Sequence, residues 1–405
     1  MITLPGGALP VLDLGTREIL YGNRDTTFRY ELLQHDPATG LDSFSGILDG
    51  VTPGGNLSWT SNAVVKKSGT ITVQDLEVAK PGARRISDVN LYTERIRPVM
   101  VIDGLPEIPL GVYVITASPE KWRGTGREWP LELHEKTTAL EQDSVDVSFT
   151  AGTAQPVLEI IESVIEGGGE RITIDGSDTR TLRNSLVWAA GTTRIRIVND
   201  LLDAIGYNSL WMDGQGSFRA TQYVRPADRS TRYSMLNDAD GEQLQRELVD
   251  GDQSIYSPEW TRDRDTYKVP NKVIAVAAGT GDDAPLTGTV TNENPDSPFS
   301  FDARGRWVTR VLDNVDVPDF SAEPDPAAAT TLFLESRAEQ ALIAASSVQA
   351  TVELSTLPIP LELRDVVIFA STPANIESRH TVQSVEVQLR FDGTMRLSLR
   401  EVSVL

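Results

Sequence analysis

The strongest constraint in this sequence is a change of hydrophobic period along the chain, from two at both ends to 3.6 in between. Thr26-Thr27-Phe28-Arg29-Tyr30-Glu31-Leu32-Leu33 and Gly69-Thr70-Ile71-Thr72-Val73-Gln74-Asp75-Leu76 alternate as half-buried strands do. Arg97 to Ile102 runs into Asp103-Gly104, a tight-turn pair. Ile108, Leu110, Val112, Val114 and Thr116 are expected to share one face of the returning strand, and Trp129 to His134 closes the set. Several short strands separated by Gly and Pro turns predict a sandwich or small barrel.

Past Thr153 the period changes. Pro156 opens a helix with an apolar stripe of Val157, Ile160, Ile161, Val164 and Ile165, ended by Gly167-Gly168-Gly169. A second helix is expected from about Arg194 to Ile205, with Gly206 as its stop. Glu170 to Asp178 reads as a strand and a polar turn, and Tyr207 to Ala220 as a strand, a Gly-rich turn and a returning strand. Val273 to Ala277 has the apolar run of a buried strand. Ala327 to Ser346, rich in Ala, Leu, Glu, Arg and Gln, predicts the longest helix. Strands return at Val348–Leu354, Asp365–Ala370, Thr381–Phe391 and Thr394–Val404, the last two joined by Asp392-Gly393. The expected fold is α+β and mainly β: two β-barrel-like or sandwich-like domains with an α/β insertion between them. The expected limits are 1–135 for the first, 136–210 for the insertion and 211–405 for the second, which carries the long helix near 327–346. No repeat of solenoid or propeller length is present.

Chemistry is mostly excluded. With 37 basic and 58 acidic residues the net charge is −21, a balance that repels nucleic acid. Its plain reading is solubility, and its functional reading is a surface that nucleic acid passes without sticking. The absence of cysteine removes disulfides, thiolate metal sites and thiol nucleophiles. Histidine occurs only at His35, His134 and His380, no two of them close, and each is expected to be a surface or half-buried structural residue. There is no Gly-x-Ser-x-Gly elbow and no phosphate-binding Gly-x-x-x-x-Gly-Lys loop. Gly214-Gln215-Gly216 reads as turn chemistry. The acidic pairs Glu135/Glu141, Asp238/Asp240, Asp250/Asp252 and Asp282/Asp283 read as solvated charge, and Asp238-Ala239-Asp240-Gly241 lacks the later ligands of a calcium loop. The tryptophans at 59, 122, 129, 188, 211, 260 and 307 form no periodic platform and are assigned to core or subunit contact. No catalytic, cofactor-binding or metal-ligating residue is therefore named, no cofactor is expected, and the chain is read as not being an enzyme. The N-terminus lacks the pattern of a signal peptide and no window reaches the ~20 apolar residues of a membrane span, so synthesis in a cytoplasm is expected.

The order of motifs carries a resemblance. Trp129-Pro130-Leu131-Glu132-Leu133-His134-Glu135-Lys136-Thr137-Thr138-Ala139-Leu140-Glu141-Gln142-Asp143 looks like the end of a hub barrel, followed by a short helix at Gln155 to Glu166. Trp188-Ala189-Ala190-Gly191 precedes a helix ending in Gly206-Tyr207. Trp211 to Phe218, Tyr223-Val224-Arg225-Pro226 and Val269 to Val276 follow in order. This series is similar to minor tail proteins, or baseplate (tail-tip) hubs, of tailed bacteriophages of high-GC Gram-positive bacteria. The resemblance implies a structural hub ring, a homotrimer. It would join the tail tube to tip fibres or a spike and form part of the channel for genome ejection. The implied partners are distal-tail and tail-tube ring proteins, the tape-measure protein and tip or fibre proteins, with phage DNA passing unbound. The implied location is the virion. A distal-tail adaptor ring of six copies and a carbohydrate-binding tail-tip protein are the alternatives. No lytic or adhesin segment is read after the last strand.

Overall fold

Alternation at both ends does produce strands, and the pairing between them joins the two ends into one sheet. The computed structural model describes residues 19–20 and 24–402 apart from 76, 78, 124–125, 175–177, 237–251, 264–268, 280–284, 296 and 347–350. The first half contributes β1 (Thr26–Asp36), β2 (Leu41–Leu48), β3 (Val51–Thr60), β4 (Lys67–Gln74), β5 (Ala83–Arg84), β6 (Glu94–Ile102), β7 (Ile108–Pro109), β8 (Tyr113–Ala117), β9 (Lys121–Arg123) and β10 (Gly126–Glu135). The second half contributes β16 (Thr231–Leu236), β17 (Asp252–Asp263), β21 (Thr351–Thr356), β22 (Val366–Ser371), β23 (Ile376–Leu389) and β24 (Met395–Glu401). Strand at 45% against helix at 18% makes the fold α+β and mainly β, as the periodicity predicts.

The strand order is β22-β16-β17-β21-β24-β23-β3-β4-β10-β8-β6-β1-β2-β5. The two β halves are thus joined edge to edge. The join is β23, 14 residues long. Its first part pairs with β22, from Ile376 opposite Ser371 to Thr381 opposite Val366. Its last part pairs with β3, from Ser384 opposite Thr60 to Leu389 opposite Gly55. On its other side β23 pairs with β24. Alternate residues of the join face inward: Leu57 and Trp59 on β3 meet Val385, Val387 and Leu389 on β23, all 2% exposed or less. One apolar cluster therefore runs from Leu32, Ile71 and Ile96 in the first half to Tyr256, Phe369 and Leu399 in the second.

The α/β insertion forms its own core. It holds α1 (Thr137–Gln142), β11 (Phe149–Ala151), α2 (Val157–Glu166), β12 (Ile172–Ile174), β13 (Leu186–Trp188), α3 (Arg194–Ala204), β14 (Trp211–Met212) and β15 (Phe218–Ala220). The helical stripe expected on α2 is buried throughout, from Val157 to Ile165. Trp211 to Ala220 folds as the expected hairpin, but β15 pairs in parallel with β12, so this stretch packs with the insertion. A third core lies between β17 and β21. There β18 (Lys272–Ala277), β19 (Thr287–Thr291) and β20 (Thr309–Val315) form a small sheet under the long helix α5 (Pro326–Ser346), which follows the short α4 (Phe301–Arg304). Helix and sheet meet at Gly288, where a Cβ would stand 2.4 Å from the Glu335 nitrogen, so only glycine allows this approach.

One expected strand is broken. Ile108 and Leu110 lie in the first core but Val112 lies in the second, so they do not share one face. Gly111, at φ +113, turns the chain between β7 and β8. Its N–H donates to the Gly214 carbonyl at 2.8 Å, which ties the first half to the insertion hairpin.

Leu57 sits at the centre of the join. Leu57→Ala should cost about 2–5 kcal/mol, measured as the shift in urea-unfolding free energy, with far-UV circular dichroism checking that the fold is retained.

Candidate functional site

Two sets of charged side chains are buried where parts of the chain meet. The first pins the insertion to the first half. The triple glycine after α2 closes that helix and delivers Glu170, only 2% exposed, to the end of the sheet. Arg95 on β6 donates to both oxygens of Asp42 on β2, at 3.0 and 3.1 Å, and to both oxygens of Glu170. The Lys136 ammonium, just past β10, stands 3.3 Å from Asp42 and 3.3 Å from Glu170. His35 Nδ1 lies 3.0 Å from Asp42. Burial alone would raise the Asp42 carboxyl, but the His35 hydrogen bond and the Lys136 and Arg95 charges outweigh it and bring its pKa down to about 2.

The second set lines a cavity of about 390 Å³ among the first half, the insertion and the second half. Lys66, Lys67 and Glu135 come from the β4 and β10 region. Asn208, Trp211 and Asp213 come from the insertion. Arg229, Arg232, Glu362, Arg364 and Asp365 come from the second half. Burial lowers Lys66 to about 8, helped by the nearby Arg364 charge. Burial lowers Arg364 to about 10, with Arg229 adding to the effect. Burial raises Asp365 to about 6, against the pull of Arg232 and of the Glu362 N–H. Glu135 is fully buried and pushed upward by that burial, although Lys67 and Lys66 oppose it. Lys67 is paired with Glu362 at 3.2 Å and lies 5.0 Å from the centre of the Trp59 ring.

Of these cavity residues Glu135, Trp211 and Asp213 fall within the motifs that carry the resemblance, but none is marked there as a site residue. Lys66-Lys67 precedes the strand read from Gly69 and carries no reading, and Glu135 reads in sequence as half of a solvated pair with Glu141. The structure buries Glu135 and leaves Glu141 exposed. The histidines part company. His134 is half-buried and His35 is tied to Asp42, but His380 is wholly buried and not at the surface, its Nδ1 3.0 Å from the Ser378 carbonyl and its ring edge-on to Phe369. The strand β23 carries it into the core because it stands directly opposite Val367, a wholly buried member of the first core. Trp59 and Trp188 are buried, whereas Trp122 and Trp307 are 72% and 44% exposed. The Asp238–Gly241 stretch and Asp282/Asp283 lie outside the described residues. Among the described residues no three acidic or histidine side chains are grouped to hold a metal ion, and no helix is long and apolar enough to cross a membrane.

Several solved structures share this architecture. The tail protein from Neisseria meningitidis MC58 has a TM-score of 0.58 at 11% identity, with 93% of this chain and 96% of that chain covered. The 43 kDa tail protein of prophage MuSo2 from Shewanella oneidensis gives 0.56 at 12% identity, covering 92% and 98%. The chain has the fold of tail proteins. The prophage tail protein gp18 from Listeria monocytogenes EGD-e gives 0.53 at 12% identity over 91% and 94%. No family model and no curated protein matches the sequence.

The ion cluster makes two outcomes measurable. Arg95→Met leaves Asp42 and Glu170 buried without their main counter-charge and should cost about 3–5 kcal/mol by denaturant unfolding at pH 7. Asp42 is depressed from 3.8 to about 2. Its stabilising contribution is therefore full above its unfolded pKa and is lost as the pH falls toward about 2. Asp42→Asn should flatten that acid limb of the stability curve.

Proposed function

We propose that the chain is a structural component of a phage tail tip or baseplate: a hub ring that connects the tail tube to tip fibres or a spike and forms part of the channel for genome ejection. One observation carries the reading. The mainly β fold is shared with tail proteins over more than nine-tenths of the chain, insertion included. The reading is of a protein that works by shape and assembly, not by catalysis. The net charge of −21 suits a channel wall that DNA passes without binding. The proposed partners are further copies of the chain as a homotrimer, the distal-tail and tail-tube ring proteins, the tape-measure protein and tip or fibre proteins. Its proposed place is the virion, after synthesis in the host cytoplasm. A high-GC Gram-positive host is proposed from the sequence resemblance alone.

The proposed working division is a first β half (1–135), an insertion (136–210) and a second β half (211–405), with the Trp211–Ala220 hairpin lent to the insertion's sheet. In a trimer the two β halves of each chain would supply six β units around the channel, matching a six-fold tube. A six-copy adaptor ring differs from this in subunit count.

Light scattering coupled to size exclusion, run on the chain alone and with a tail-tube ring protein, checks the proposal. Three chains per particle, or a three-chain ring on the tube protein, is the expected result. A strict monomer at every concentration that binds no tail-ring protein would overturn the assembly reading.

A further inference from the structure

The cavity between the three parts of the chain is lined by more cationic side chains than its acids neutralise, Lys66 and Lys67 buried and the three arginines half-buried. Lys67 is matched by Glu362 at 3.2 Å, Arg232 lies 3.8 Å from Asp365, and Asp213 is bound by Arg219 at 2.9 Å. That leaves Lys66, Arg229 and Arg364 against Glu135 and the share of Asp365 that Arg229 takes from Arg232. Glu135 is 0% exposed. One of its oxygens accepts the Lys66 backbone N–H at 2.5 Å, and the other has no partner among the described residues. Burial favours its neutral form, so it is a poor counter-ion.

Among the described residues the three cations make hydrogen bonds only to neutral acceptors. Lys66 Nζ donates to the Ala63 carbonyl at 3.2 Å, and Arg364 donates to Ser209 Oγ at 3.1 Å. Arg229 donates to the Val224 and Arg364 carbonyls. Burying charge against neutral acceptors is costly, and the usual remedy is an anion. Among the described residues the only acids facing these three are Glu135, beside Lys66, and Asp365, which Arg229 shares with Arg232, so the cations outnumber the acids. Lys66 is depressed by burial and then by Arg364, and Arg364 by burial and then by Arg229, so the cations sense one another. Arg364 also holds φ +72, a conformation that non-glycine residues avoid unless their surroundings impose it. The cavity is large enough for a small ligand and its second-half wall is only half-buried, so it is reachable from solvent.

We propose that this cavity binds a small free oxyanion with at least two negative charges, of the phosphate or polycarboxylate class, seated among Lys66, Arg229 and Arg364. Charge-assisted hydrogen bonds to such an ion supply the missing counter-charge. Because Lys66 belongs to the first half and the two arginines to the second, the ion also ties the halves together at a point away from β23.

The test uses the whole chain, with inorganic phosphate and citrate titrated separately by calorimetry and by thermal unfolding. Ionic strength is held constant with sodium chloride. The expected result is saturable binding and a saturable rise in unfolding temperature for at least one of the two anions, beyond the chloride control. Lys66→Met and Arg364→Asn, the latter a residue that tolerates positive φ, should each weaken binding by about tenfold or more. Lys80→Met, at a side chain 83% exposed, should leave binding unchanged. Circular dichroism establishes that each variant is folded, and either of the two cavity variants alone suffices. No saturable effect above chloride overturns the proposal. So does binding that survives in the folded cavity variants, because the anion then sits elsewhere.

Discussion

The shared edge of β23 is the interaction on which the rest of this structure depends. A strand of 14 residues spends its first part on β22 and its last part on β3. At about 3.3 Å per residue it is long enough to serve two partners end to end. Its inward residues, Val382, Val385, Val387 and Leu389, are all 2% exposed or less and complete a core that neither half closes alone. Slipping this register by one residue would turn those side chains outward along both halves at once. The pairing fixes where the first half stands relative to the second. It thereby fixes where the insertion and the long-helix unit can sit.

Around that join the chain uses charge where it has run out of apolar surface. Arg95 and Lys136 bridge Asp42 and Glu170 to hold the insertion against the first half. This network balances two cations against two carboxylates, with His35 beside them, and its hydrogen bonds close on themselves. A balanced buried network chiefly defines one arrangement and penalises the loss of any member. The cavity lined by Lys66, Arg229 and Arg364 is the contrasting case. Its cations, Lys66 buried and the two arginines half-buried, have neutral hydrogen-bond acceptors among the described residues, and Asp365 and Glu135 are shifted toward their protonated forms. One joint is thus complete as the chain stands, and the other is poised to take a ligand.

How much of this was legible in the sequence follows from how local each feature is. The turn at Asp392-Gly393 and the stripe from Val157 to Ile165 depend on neighbours within a few residues, and both are found where the pattern puts them. The break at Gly111 depends on Gly214, a hundred residues away, so the alternation through Leu110 and Val112 gave the wrong impression of one continuous face. The join of Leu57 to Val387 spans most of the chain and leaves no mark on either strand beyond ordinary alternation. Val273 to Ala277 was readable as a buried strand, but its separate core under α5 was not, because a buried run does not name its partner. His380 and the cavity cations failed for the same reason. A charged or titratable residue in an alternating strand looks solvated until the distant segment that covers it is known.

The central claim is that one sheet and one core make the two β halves a single cooperative unit. Native-state hydrogen exchange resolved to single amides tests it most directly, by comparing β1 and β6 in the first half with β22 and β24 in the second. The account predicts that the best-protected amides of all four strands open with one common free energy equal to that of global unfolding. Two separate plateaux, with one half opening while the other stays protected, would contradict it.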